Sequence, residues 1–249
     1  MDASGSLDSN RDYYDAFSTR YEARRGSNDP GGYHELVDEL ETEFVRRFAK
    51  NRSVLEVGCG TGLLLRRMAR FTSSARGVDL SPGMLEKARE RGLDVVEGSA
   101  TALPFEDESF DVTCSFKVLP HVPDIKTALQ EMARVTRAGG HVIAEFYNPF
   151  SLRGLLKRFG PAGHIAQGAH ERHVYTRFDS PAQVRALIPS GCQLVAARGV
   201  RIATPTAHLM SSRIGRFVFA NAERLLCDSP LRVFAGFYVV SLAKLHSSP

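Results

Sequence analysis

The stretch SVLEVGCGTGLLLRRMA, Ser53 to Ala69, decides the fold. A short apolar run ends in Gly58-Cys59-Gly60-Thr61-Gly62, and leucines at helical spacing begin at once. Three glycines between a strand and a helix remove Cβ atoms where backbone turns tightly, approaches a ligand closely or packs helix on strand. The helix that follows offers unpaired N–H groups and a partial positive charge, which suit a carboxylate or phosphate. Two familiar spacings fail here. A dinucleotide fingerprint needs G-x-G-x-x-G, but the third glycine comes one residue early and Leu63 fills its place. A P-loop needs G-K-[ST], and this turn has no lysine.

Working outward, strands and helices alternate. YHELVDELETEFVRRF (Tyr33–Phe48) puts Leu36, Val37, Leu40, Phe44, Val45 and Phe48 at helical spacing. SVLEVG reads as a strand, GLLLRRMARF as a helix and ARGVDL as a strand. Ser81 and Pro82 start a helix over GMLEKARERG. LDVVEG and FDVTCSF read as strands three and four. DIKTALQEMARVTRAGG reads as a helix closing on Gly139-Gly140, and HVIAEFYNP as a fifth strand stopped by Pro149. This βαβα rhythm predicts a parallel, doubly wound sheet with helices on both faces. After Pro149 the rhythm breaks. Residues 150–178 read as irregular or short-helical, SPAQVRALIPSG as a helix and CQLVAARGVRIA as a strand. Pro205 to Leu226 is an amphipathic helical pattern, and VFAGFYVVSLAKL is a last strand. An antiparallel hairpin at one sheet edge, carrying an insertion, fits this order.

The chain's bulk properties bound the options. Its 249 residues suit one large domain, and 43% apolar with 24% charged residues is ordinary globular composition. No apolar run reaches the roughly 18 residues of a membrane helix, and MDASGSLDSNRDYY lacks the plan of a signal peptide. The expectation is a soluble cytoplasmic protein whose first ten or so residues fray. The four cysteines, Cys59, Cys114, Cys192 and Cys227, are scattered, which predicts reduced thiols and no structural zinc. The net charge of +4 is unevenly spread. From Asn148 onward 13 Lys/Arg face four Asp/Glu, whereas the first 147 residues hold 19 against 24. A basic C-terminal part attracts anions, but without interleaved aromatics or a nucleic-acid motif it disfavours nucleic acid as a partner.

The motifs VLEVGCGTG, GVDLSPGMLEKAR, EGSATALPF, FDVTCSFKVLPHVPD and AGGHVIAEF come in an order that resembles the class I S-adenosylmethionine-dependent methyltransferases. They are most similar to the branch containing the ubiquinone and menaquinone biosynthesis enzymes. The resemblance covers roughly residues 50–150. It implies an α/β fold with a doubly wound, mostly parallel seven-stranded sheet, Rossmann-like, with an antiparallel C-terminal strand and helical lid insertions. It also implies one methyltransferase domain over 1–249, with an N-terminal helical cap at 1–48 and a cofactor-binding core at 49–149. Substrate lid elements and the C-terminal strands would occupy 150–249.

The resemblance assigns roles residue by residue. Gly58, Cys59 and Gly60 would hold the methionine part of S-adenosylmethionine through backbone, with Glu56 beneath its amino group. Asp79 would accept from the ribose hydroxyls, and Leu80 would pack on the adenine beside Phe116. Ser99 and Ala100 stand where an Asp-Ala pair is usual, so the adenine amino group loses a charged acceptor. Pro120 departs from a frequent histidine. Tyr14 or Tyr21, helped by Arg25, would cover the carboxylate end of the cofactor.

Catalytic candidates follow from position. His121, after the fourth strand, stands where substrate meets cofactor and titrates near neutrality, which suits a general base; packing of the adjoining loop is the competing role. Lys117, Tyr147 and Asn148 are further cleft residues. His164, His170 and His173 in GHIAQGAHERHVY fit a lid better than a metal site. Leu209, Met210, Ile214, Phe217, Val218 and Leu225 recur at helical spacing beside Arg213 and Arg216. A helix covering the sheet or a homodimer contact is expected there, ahead of a lipid-facing helix or a lid.

The expected function is methyl transfer from S-adenosylmethionine to oxygen or carbon of a small aromatic, quinone-like or natural-product acceptor. N-methylation and lipid methylation remain alternatives, although no D-P-P-Y-like run marks a methylase of DNA amines. A catalytically silent cofactor-binding partner protein and a nicotinamide oxidoreductase are the readings from other classes.

Overall fold

The computed structural model describes Asp15, Ser18, Tyr21 and residues 32–151, 175–204 and 207–246. Helix α1 (Tyr33–Ala49) leads into β1 (Ser53–Val57), α2 (Leu63–Met68), β2 (Ser74–Asp79), α3 (Pro82–Glu90), β3 (Asp94–Glu97) and β4 (Phe110–Ser115). A 3-10 turn at Leu119–His121 precedes α4 (Ile125–Val135) and β5 (Thr136–Tyr147). The later elements are α5 (Pro181–Ala186), β6 (Cys192–Val200), a 3-10 turn at Ala207–Met210, α6 (Arg213–Leu226), a 3-10 turn at Pro230–Phe234, and β7 (Phe237–Lys244).

Seven strands form one sheet in the order β3-β2-β1-β4-β5-β7-β6. The first five are parallel, and β7 runs antiparallel between β5 and β6. The hairpin thus places its second strand inside and its first at the edge. Because the chain leaves β1 toward β3 in one direction and returns at β4 in the other, the crevice at the carboxyl ends of β1 and β4 is the topological switch point.

Alternation along the strands loads two cores. Val54, Val112 and Ile143 face α1 and α2 with Leu40, Phe44, Leu65 and Met68. Leu55, Val57, Val142 and Ala144 face α4 with Ile125, Leu129 and Met132. The same alternation puts Glu56 and Glu145 on the face that α1 covers, which matters for the site.

The helix starts have local causes. Ser81 accepts from Met84 N–H with Pro82 behind it, Asp124 accepts from Thr127 N–H, and Ser180 makes a capping box with Gln183.

Three boundaries correct the sequence reading. The fourth helix ends at Val135, not at the glycine pair, and TRAGG opens β5. Thr136 Oγ1 reaches Met132 O at 2.7 Å and Thr113 Oγ1 at 2.8 Å, tying this corner to β4. Gly140 passes so close to Asp111 that a Cβ would lie 2.4 Å from its carbonyl oxygen, at the bulge between Phe110 and Val112. The last strand begins at Phe237, because Pro230–Phe234 winds as a 3-10 turn capped by Ser229. The pattern over Pro205–Leu226 divides at Ser212, which caps α6 through Gly215 N–H. The first ten residues and most of the irregular segment, 152–174, lie outside the described residues. Among the described residues no helix is long and apolar enough to cross a membrane.

Candidate cofactor and substrate site

The three glycines of the turn have φ of +75°, +53° and +79°, all in the left-handed region, but their surroundings differ. A Cβ on Gly58 would lie 2.2 Å from Val118 Cγ2, and one on Gly62 2.3 Å from Leu93 Cδ1. A Cβ on Gly60 would meet nothing within 4 Å. Gly58 and Gly62 are therefore bare because protein fills the space, whereas Gly60 faces an open cleft. Gly58 N–H and Cys59 N–H both donate to Val78 O, which ties the turn to β2. The Cys59 thiol is buried against Gly77, so only its backbone faces the cleft.

Asp79 ends β2 across from this turn. Its Oδ2 accepts from Gly60 N–H at 2.7 Å and its Oδ1 from Ser81 N–H at 3.0 Å. Burial raises its pKa, and the backbone N–H groups oppose that rise. Each carboxylate oxygen has further acceptor capacity, so Asp79 can brace the turn and still take a ligand hydroxyl. Leu80 follows it, half-buried.

Glu56 stands two residues before Gly58 and is 3% exposed. Its Oε2 has no hydrogen-bond partner, and burial holds its pKa well above the usual carboxylate range. Together with Tyr21, Gly58, Gly60, Phe116 and Lys117 it lines a pocket at the switch point. Asp15 lies nearby, accepting from Ser81 Oγ at 2.9 Å and Gly83 N–H at 2.7 Å. Tyr14 and Arg25 lie outside the described residues, as do His164, His170 and His173.

Sequence reasoning named Lys117 but missed the acids behind it. Lys117 adopts a φ of +61°. Its N–H donates to Glu145 Oε1 at 3.1 Å, its Nζ donates to Glu41 Oε2 at 2.6 Å, and Asp38 Oδ1 lies 3.6 Å away. Glu41 and Glu145 are fully buried with carboxyls close enough to share a proton, and burial pushes both pKa values up. The same surroundings raise Tyr33 to about 12, chiefly through burial. The available signal was Glu145 itself, a lone acid in the apolar run HVIAEFY on a strand with neighbours on both sides.

His121 ends the 3-10 turn after β4, half-buried, with its ring edge-on to Tyr147 at 5.7 Å. Tyr147 also meets Phe178 at 6.1 Å and Phe237 at 5.4 Å. His121 Nδ1 is 2.9 Å from Tyr175 O and 3.2 Å from Thr176 Oγ1. A carbonyl only accepts, so this contact places the proton on Nδ1 and leaves Nε2 as the basic nitrogen of the neutral ring. Burial lowers the His121 pKa, and the Tyr175 carbonyl opposes the change.

One expected role changes. Asn148 is not a cleft residue: it is 2% exposed, and Nδ2 donates to Val233 O and Ala235 O while Oδ1 accepts from Phe150 N–H. It fastens the end of β5 to the turn before β7. Ser99 Oγ is engaged in its own turn, 2.9 Å from Thr101 Oγ1 and accepting from Thr101 N–H, beside the partly buried Ala100.

This sheet order, with an antiparallel seventh strand and a glycine turn at the switch point, defines the Rossmann-like methyltransferase fold. Residues 55–144 match the family model described as a methyltransferase domain. A demethylmenaquinone methyltransferase of Mycobacterium marinum is 42% identical over 112 residues, 44% of this chain and 48% of the relative. A ubiquinone biosynthesis O-methyltransferase of Cupriavidus pinatubonensis is 35% identical over 161 residues, 60% of this chain and 63% of the relative. The chain thus spans between about half and two thirds of these curated relatives. Among solved structures, a Thermotoga maritima S-adenosylmethionine-dependent methyltransferase, described as a possible histamine N-methyltransferase, superimposes with a TM-score of 0.64. It is 22% identical, over 94% of this chain and 99% of that one.

S-adenosylmethionine is the cofactor of such domains, and the residues present fit it. The open space at Gly60 admits backbone contact, and the orphaned Glu56 oxygen suits an ammonium. Asp79 adds hydroxyl acceptors on the other side of the turn.

Proposed function

We propose that this chain methylates oxygen or carbon of a small aromatic or quinone-like acceptor, with S-adenosylmethionine as donor. The observation that carries the reading is the cradle at Gly60, open on the ligand side and braced by Asp79, with an unpaired Glu56 oxygen at its base. The names of the relatives, both quinone-biosynthesis methyltransferases, favour a quinone-like acceptor.

When bound, the cofactor supplies an electrophilic methyl on a sulfonium. The chain's work is then placement and one proton. Glu56 accepts from the amino group, Asp79 from ribose hydroxyls, and Phe116 with Leu80 supplies apolar contact to the adenosyl part. An acceptor hydroxyl or acidic carbon would give its proton to His121 Nε2 as its bond to the methyl forms and the methyl–sulfur bond breaks, the electron pair leaving on the thioether sulfur. The resulting imidazolium keeps its Nδ1–H on the Tyr175 carbonyl. Because burial lowers the His121 pKa, the ring is neutral and basic at neutral pH. Tyr147, with Phe178 and Phe237 beside it, offers ring faces to an aromatic acceptor.

Calorimetry with S-adenosylmethionine, S-adenosylhomocysteine and NAD tests the donor site, and a labelled-methyl screen over phenols, quinols, amines and phospholipids tests the acceptor. The reading expects binding of the first two ligands and turnover with phenols or quinols. Binding of NAD alone removes it. Cofactor binding without turnover on any acceptor favours a silent relative.

A further inference from the structure

Helix α6 does not cover the sheet with its apolar stripe, which sets aside the first of the two expected roles, sheet cover or homodimer contact. Ile214 is 79% exposed, Phe217 73%, Val218 52% and Leu225 80%. These positions are i, i+3, i+4 and i+11, one stripe along the helix. The polar residue within the stripe, Asn221, turns its amide back onto Phe217 O at 2.6 Å. Leu231, Val233 and Phe234, also exposed, extend the patch from the 3-10 turn that contacts α6. An exposed apolar patch of this kind marks an interaction surface.

The charges of the helix select the partner. Its acid, Glu223, is 1% exposed and points inward, accepting from Ile202 N–H and Thr204 N–H. Arg224 turns toward α1, onto Glu39 and Glu43. Arg213 stands exposed at the head of the stripe, with no ion pair among the described residues. The outward face of α6 is thus apolar with a cationic head and shows no carboxylate. A two-fold contact with a second copy would lay this face on itself, without an acid from α6 to meet Arg213. An anionic lipid surface offers both what the stripe needs and what the arginine needs.

We propose that α6 docks this protein on anionic membrane surfaces, lying in the interfacial plane with Ile214, Phe217, Val218 and Leu225 among the acyl chains. Arg213 sits at the headgroup phosphates. The docking does not depend on the methyl-transfer reading.

The test is co-sedimentation of the full chain with vesicles of phosphatidylcholine alone and of phosphatidylcholine with phosphatidylglycerol. The expected result is binding to the anionic vesicles, weakened about tenfold or more in the double variant Ile214→Ser/Phe217→Ser and weakened in Arg213→Glu. Both variants change exposed side chains, and an unchanged thermal melt confirms that they fold. Failure to bind anionic vesicles overturns the proposal, as does equal binding to neutral ones. So does a dimer, seen by light scattering, that the Ser double variant dissolves, since a second copy would then be the occupant.

Discussion

At the scale of single residues, the glycine turn separates stability from binding. Gly58→Ala must place a methyl inside Val118 and hold a left-handed φ, and such strain costs about 1–3 kcal/mol before the clash is counted. Urea titration should show that loss. Gly60→Val pays only the backbone strain, because its side chain enters open space, so it should fold yet fail to bind S-adenosylmethionine in calorimetry. Asp79→Ala strands the Gly60 and Ser81 N–H groups and should cost about 1–3 kcal/mol of stability as well as cofactor affinity. Unchanged affinity in Asp79→Ala would remove its ligand role. The buried acids behave differently. Glu145 and Glu41 hold protons in the folded state above the pH at which an unfolded glutamate loses them. Their burial is therefore harmless in acid, and it lowers stability as pH rises from the ordinary carboxylate range through the folded pKa. Glu145→Gln keeps an acceptor for Lys117 N–H and gains a donor toward Glu41. It should raise Tm at about pH 8 and leave it unchanged near pH 4. Thermal melts at the two pH values check this, and an equal effect at both would refute the shared proton.

At the scale of elements, what the sequence disclosed depended on whether the signal was local. The strand–glycine–helix unit, the Ser81-Pro82 and Ser180-Pro181 starts and the α1 periodicity are each written in adjacent residues, and they form as read. The end of α4 was misread because its cause is distant: Thr136 joins β4 through Thr113, and Gly140 slides past Asp111. Asn148 was misread for the same reason, its partners being some 85 residues away. Of the candidate site, the glycine turn was legible from spacing, and Glu56 and Asp79 came from the family resemblance. The Lys117–Glu41–Glu145 group joins α1, β4 and β5 and shows in no single window. Glu223 is a further case, since it looks like a surface residue of an amphipathic helix. It instead receives two backbone N–H groups from the stretch after β6. Glu223→Ala should cost about 1–3 kcal/mol in urea unfolding by leaving those donors unpaired, whereas Arg213→Ala on the same helix should cost under about 0.5 kcal/mol.

At the scale of the whole molecule, the cleft is assembled from parts remote in sequence. The ends of β1 and β4 supply the glycine turn, Phe116 and Lys117, and α1 supplies the acids behind it. The segment before α1 brings Tyr21 to the pocket while Asp15 bridges Ser81 and Gly83 at the head of α3. Ser81 and Gly83 follow Asp79 and Leu80 directly, so one carboxylate ties Asp15 to the end of β2 and the head of α3. Asp15 is exposed and touches neither core, and its loss should leave the sheet and its helices intact. Asp15→Ala should therefore leave Tm nearly unchanged and weaken S-adenosylmethionine about fivefold, equivalent to roughly 1 kcal/mol. Asp15→Asn, which keeps an oxygen acceptor, should recover part of that loss. If the variant binds cofactor as tightly as the wild type, the bridge is a surface contact, and Tyr21 reaches the pocket without it.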